Sequence, residues 1–138
     1  MAYKRPALSA LTIGHTTTNY NDSTDYFFGT NYSPALPVAN KKIQYFPKDG
    51  RVTGVNLNIN YAGAPTNEDL SLYIRINDTT DYLIGTVATG TTNTFFVNLA
   101  LNISVKTTDF FEMKLVTPAW VTNPSAASCG GTILIEVP

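Results

Sequence analysis

Val55-Asn56-Leu57-Asn58-Ile59-Asn60-Tyr61 places an apolar residue at every second position and an asparagine at each position between. A period of two belongs to a β-strand, whose successive side chains leave opposite faces, so one face of this segment is core and the other a ladder of amides. The turn Pro47-Lys48-Asp49-Gly50 precedes it. The same period recurs on the C-terminal side. Leu70, Leu72, Ile74 and Ile76 alternate with Ser71, Tyr73 and Arg75, and the turn Asn77-Asp78-Thr79-Thr80 joins this run to Asp81–Val87 as a hairpin.

Further strands follow the same rule. Phe95, Val97, Leu99 and Leu101 alternate with Phe96, Asn98 and Ala100, and Ile103 and Val105 continue the phase up to Lys106-Thr107-Thr108-Asp109. Phe111, Met113 and Leu115 alternate with Glu112, Lys114 and Val116 until Thr117-Pro118, where proline offers no ladder donor. A loop from Ala119 to Gly131 leads to a closing strand, Thr132–Val137, with Ile133, Ile135 and Val137 on one face. Tyr26-Phe27-Phe28 forms a short strand before an irregular segment containing Pro34 and Pro37. About eight strands with turn signals between them predict an all-β, antiparallel two-sheet jelly-roll sandwich. Its expected inward residues are Leu57, Ile59, Leu72, Ile74, Val97, Leu99, Met113, Leu115, Ile133 and Ile135.

Composition agrees. The 138 residues include 20 Thr and 13 Asn but are only 14% charged, so hydroxyls and amides carry the polarity. Such residues suit outer faces of strands and tight turns better than helices. Residues 1–24 show no sustained period and are read as an N-terminal arm, leaving residues 25–138 as the β-sandwich domain. The apolar patch Ala7–Ile13 is too short and interrupted for a signal peptide or a membrane span, so the chain is expected to be made in the cytoplasm and to be soluble. A net charge of −1 provides no basic surface for nucleic acid.

Chemistry-bearing groups are sparse. His15, the single histidine, lies in the expected arm with no acid nearby, and is read as an exposed bystander. Cys129, the single cysteine, can form no internal disulfide and is read as a small buried residue at the entry to the last strand. The Asp residues fall in turns, where they bond the local backbone; Asn77, Asp78, Thr79 and Asp81 could offer hard oxygens to calcium, but their spacing matches no calcium loop. Thr89–Thr92 lacks the lysine and helix of a phosphate-binding loop. The chain is expected not to be an enzyme and to use no cofactor and no metal.

Aromatic residues are the informative surplus, with eight Tyr, seven Phe and one Trp. Tyr73, out of phase with Leu72 and Ile74, belongs to an outer face, where tyrosine suits a protein interface or a sugar platform. Trp120 and Asn123 fall together in a loop and combine an aromatic face with an amide, the pairing that a glycan ring and its rim require; the same indole also suits a plug over the end of a core. Trp120, Asn123 and Tyr73 are the candidate binding residues.

Ile74–Gly85 (IRINDTTDYLIG), Ser104–Pro124 (SVKTTDFFEMKLVTPAWVTNP) and Gly130–Val137 (GGTILIEV) give the segment from Leu70 to Val137, half of the chain, its resemblance to small jelly-roll modules of tailed-bacteriophage virions. Those modules serve as capsid-decorating proteins and tail-fibre tips, and the plan resembles a tumour necrosis factor-like jelly roll. The resemblance implies a virion location and a homotrimer in which a late apolar strand and nearby aromatics meet at the axis. The implied partners are the major capsid protein or other virion proteins. The absence of a shaft-forming N-terminal region favours a capsid decoration or head-fibre protein. The alternative is a tail-fibre or receptor-binding module that recognises a host-surface carbohydrate.

Overall fold

The computed structural model describes residues 7–138, and every regular element in that range is a strand. In chain order they are β1 (Ala7–Thr18), β2 (Asp25–Phe28), β3 (Gln44–Tyr45), β4 (Gly50–Asn60), β5 (Asp69–Ile76), β6 (Thr80–Ala88), β7 (Asn93–Asn98), β8 (Ile103–Val105), β9 (Phe110–Val116) and β10 (Ala127–Val137). The first sheet runs β1-β10-β4-β7, with β8 beside β7 on the same edge of β4. The second runs β2-β9-β5-β6, with β3 beside β2 on β9. All ladders are antiparallel, and four of them nest: β5–β6 is a local hairpin, β4 takes β7, β2 takes β9, and β1 takes β10. A long hairpin folded over itself in this way is the jelly roll.

Alternation decides which face each strand buries. Val55, Leu57 and Ile59 of β4, Leu70, Leu72, Ile74 and Ile76 of β5, Phe111, Met113 and Leu115 of β9, and Ile133 and Ile135 of β10 are all buried in one core between the sheets. Each such side chain contributes about 1.5–3 kcal/mol by leaving water, which makes this shared layer the main source of stability. At the β5–β6 turn Asn77 and Asp78 both have positive φ, 55° and 56°, and Thr79 N–H donates to the Ile76 carbonyl at 3.2 Å. Asn and Asp tolerate that region better than other side chains, and a turn with two such residues matches the twist of its strands.

Four expectations are corrected. Val97 and Leu99 face solvent, at 69% and 65% exposure, together with Phe95 at 60%, while Thr94 and Phe96 take the core positions. Phe95-Phe96-Val97 satisfies an apolar period in either phase, so periodicity could not choose; pairing chose. Residues directly opposed on neighbouring strands share a face, and Phe96 opposes the inward Leu57 while Thr94 opposes Ile59. Thr94 then shares a buried hydroxyl pair with Tyr61 at 2.9 Å. The strand also stops at Asn98, whose side-chain oxygen accepts from Ala100 N–H, and the four residues before β8 bring Ile103 and Val105 back inward.

Ala7–Thr18, expected to belong to an arm, is instead a sheet strand paired with β10 from Ala7↔Val137 to Thr18↔Ala127. Its signal was weak because only the end that packs over the second sheet, around Ile13, is fully buried. Residues 1–6 lie outside the described range. His15 is buried in that strand, not exposed. Finally, β10 begins at Ala127, inside the expected loop, while its Ile133 and Ile135 face the core as expected.

Candidate functional site

The loop from Thr117 to Ala126 carries Trp120 over one end of the core. The indole is 4% exposed, its N–H donates to the Thr89 hydroxyl at 3.0 Å, and its ring stacks on Tyr20 with 6.4 Å between centroids and planes 6° apart. Tyr20 in turn donates its hydroxyl proton to His15 Nε2 at 2.6 Å. That direction follows because His15 Nδ1 lies 2.7 Å from the Thr16 carbonyl, which can only accept, so Nδ1 bears the proton. Burial holds the His15 pKa below its ordinary value and pushes the neighbouring Cys129 thiol up to about 12. Trp120 is therefore a plug, linked through Tyr20 and His15 to β1, and not an open platform.

Asn123 is exposed on the same loop and its amide reaches the Tyr20 carbonyl at 3.4 Å. The structure thus brings Trp120 and Asn123 together on Tyr20. Tyr73 sits elsewhere, half-buried on the outer face of the second sheet, with the Lys114 ammonium 5.7 Å from its ring centroid.

That outer face is charged. Arg75 pairs with Asp78 at 3.0 Å and Asp81 at 2.8 Å, and Lys114 pairs with Asp81 at 2.8 Å and Asp25 at 3.7 Å. Burial alone would raise the Asp81 carboxyl, but the Lys114 and Arg75 contacts outweigh it and hold Asp81 below the usual carboxylate range. The two turn carboxylates considered for calcium are thus already neutralised by cations of this chain. Glu112, also on this sheet, is buried beneath the segment before β3; burial raises its carboxyl, opposed by backbone N–H groups of Asn40 and Lys42.

The outer face of the first sheet differs. Register places Phe95, Asn58, Gly130 and Gly14 in one row and Val97, Asn56, Thr132 and Thr12 in the next. Gly54, Leu134 and Ala10 form a third, with a Leu99 methyl lying over Gly54. None of these residues is charged, and the Arg51–Glu136 ion pair stands beyond the third row. Phe95, Val97 and Leu99 make a raised apolar ridge along the β7 side. Two strands away the face is low: nothing lies within 4 Å of where a β-carbon would stand on Gly130, and the Tyr32 ring rests on Gly14, 2.9 Å from the same point there. Tyr32 is itself exposed. These residues, the ridge above all, were not recognised from the sequence, because Val97 and Leu99 read as core and Phe95-Phe96 marks neither face.

At the third-row end of the sandwich an open cleft of about 390 Å³ is lined by Asp49, Arg51, Val105, Lys106, Glu136 and Pro138. Arg51 there is engaged by Glu136 at 2.8 Å and Asn102 at 3.1 Å. Among the described residues no group of three or more His, Cys, Asp or Glu side chains is placed to hold a metal ion, and no helix is long and apolar enough to cross a membrane.

No protein-family model matches the chain, and no curated protein matches it. Among solved structures it is similar to a chain of infectious bursal disease virus, Gx strain, at 13% identity and a TM-score of 0.42, covering 96% of this chain and 32% of that one. It is also similar to a chain from the disulfide-linked pili of Bacillus endospore appendages, at 8% identity and a TM-score of 0.37, covering 100% and 96%. A third is a chain of the empty head of turnip yellow mosaic virus, at 9% identity and a TM-score of 0.31, covering 100% and 85%. The chain spans about a third of the bursal disease virus chain. At these scores the likenesses decide nothing about function.

Proposed function

We propose that the chain is a structural protein of a bacteriophage virion, a capsid decoration or head-fibre protein that binds the particle through the major capsid protein or another virion protein and works without catalysis. The observation that carries this reading is the division of its two outer faces, one laced with ion pairs and the other uncharged over three rows of the sheet with Phe95, Val97 and Leu99 exposed. A rigid sandwich with one watered face and one apolar face is a building block, since exposed contiguous apolar surface marks association. The sequence resemblance supplies the virion context and the homotrimer. Thr and Asn in place of charge on the first sheet let such blocks approach one another without repulsion.

Purified protein mixed with phage particles that lack it is expected to co-sediment with them and to raise their resistance to heat or dilution. Adsorption to host cells with no binding to particles would overturn the decoration reading in favour of the alternative, a tail-fibre or receptor-binding module for a host-surface glycan. With Trp120 covered, that alternative rests on Asn123 and Tyr73, and Asn123→Ala would then lower adsorption.

A further inference from the structure

We infer that two copies of this chain pair face to face through the outer surface of the first sheet, the Phe95–Val97–Leu99 ridge of each copy lying in the trough over Gly130 and Thr132 of the other. This goes beyond the virion reading: the contact is closed by a twofold axis, which the proposed homotrimer does not supply.

Shape is the first argument. Ridge and trough lie on one face and in the same rows: Phe95 shares its row with Gly130 and Gly14, and Val97 shares its row with Thr132 and Thr12. When a copy is turned over about an axis along the strands, row order is kept and strand order is reversed. The β7 ridge of one copy then stands above β10 and β1 of the other, where the open space over Gly130 admits a phenyl ring and the Tyr32 ring walls it from the β1 side. An isologous contact of this kind makes each complementary pair twice. Sheets stack in this manner about 10 Å apart with interdigitating side chains.

Charge is the second argument, and it selects the occupant. A face with no charged residue in these three rows has nothing with which to recognise a charged partner and nothing to repel its own copy, so a second copy is the matching surface. The area suffices. Four strands about 4.8 Å apart over seven residues of about 3.4 Å rise give a flat face of roughly 450 Å². Two such faces amount to roughly 900 Å² before side-chain relief is counted, against the roughly 1,000 Å² that a specific interface needs.

Light scattering after size exclusion tests the contact. The wild-type chain is expected to run at an even multiple of 15.0 kDa, and Val97→Asp to halve that mass with unchanged circular dichroism and melting temperature. A wild-type monomer at high micromolar concentration, or an even assembly that Val97→Asp leaves intact, would overturn the pairing. A mass of three copies would overturn it while leaving the proposed trimer standing. Chains carrying Val97→Cys mixed with chains carrying Thr132→Cys give an independent readout. A disulfide between positions 97 and 132 of different copies supports the ridge-in-trough contact, and one between two copies of position 97 refutes it.

Discussion

His15 joins β1 to the aromatic end of the core through one neutral imidazole, donating to Thr16 and accepting from Tyr20. Its pKa in the folded chain lies below the ordinary 6.5 because burial disfavours the imidazolium. Between the folded and unfolded values the unfolded chain binds more protons, so stability falls as pH drops through about 6.5 and is fully present above it. Urea midpoints from pH 7.5 down to 5 are expected to show that decline, and His15→Gln, which cannot take the charge, to flatten it. Glu112 titrates with the opposite sign, its raised folded pKa adding stability on acidification in a lower window nearer its ordinary 4.5. The neighbouring pair Phe96 and Val97 tests the phase of β7. Phe96→Ala should cost about 3–5 kcal/mol by opening a cavity, whereas Val97→Ala in dilute protein should stay within about 0.5 kcal/mol. Equal losses at the two sites would contradict the observed phase.

Among elements, β1 separates most clearly from what its residues alone suggest. It covers one edge of β10 for almost its full length and contributes Ile13 and His15 to the interior. Deleting residues 7–18 is therefore expected to expose a row of unpaired backbone groups on β10 and to leave the chain unfolded or aggregated; a well-dispersed proton spectrum from the truncated chain would refute this. The β5–β6 hairpin is the contrasting case. Its β5 strand alternates without interruption, β6 carries one bulge at Ile84, and the turn has the residues that positive φ demands, so local chemistry and long-range pairing agree at the turn and along β5. In β7 they are decoupled, because an aromatic pair next to Val97 leaves the local pattern silent about direction.

At the scale of the molecule the nested pairing brings the two ends of the described chain together, Ala7 beside Val137, and most of the core joins strands distant in sequence. Closing such long loops comes before the contacts that stabilise them, so folding is expected to be slow for the size, in milliseconds to seconds. Stopped-flow fluorescence of Trp120 reports it directly, since the indole is buried only when the end of the sandwich closes over Tyr20. Refolding within microseconds would contradict the nested route.

Period-two alternation in Val55–Tyr61, Leu70–Ile76 and Phe111–Val116, with Asn77-Asp78 and Pro118 as punctuation, determined by itself that the chain is an antiparallel sandwich and which side of those strands is core. A strand buried on one face writes its orientation into its own side chains. Only the tertiary structure decided the direction of Phe95, Val97 and Leu99, the burial of His15 and Trp120, and the place of β1 in a sheet. Each of these depends on which distant segment lies opposite: Leu57 for Phe96, Cys129 for His15, Tyr20 for Trp120. The uncharged ridge and trough share that origin, because a surface spanning four strands from opposite ends of the chain has no continuous segment in which to be read.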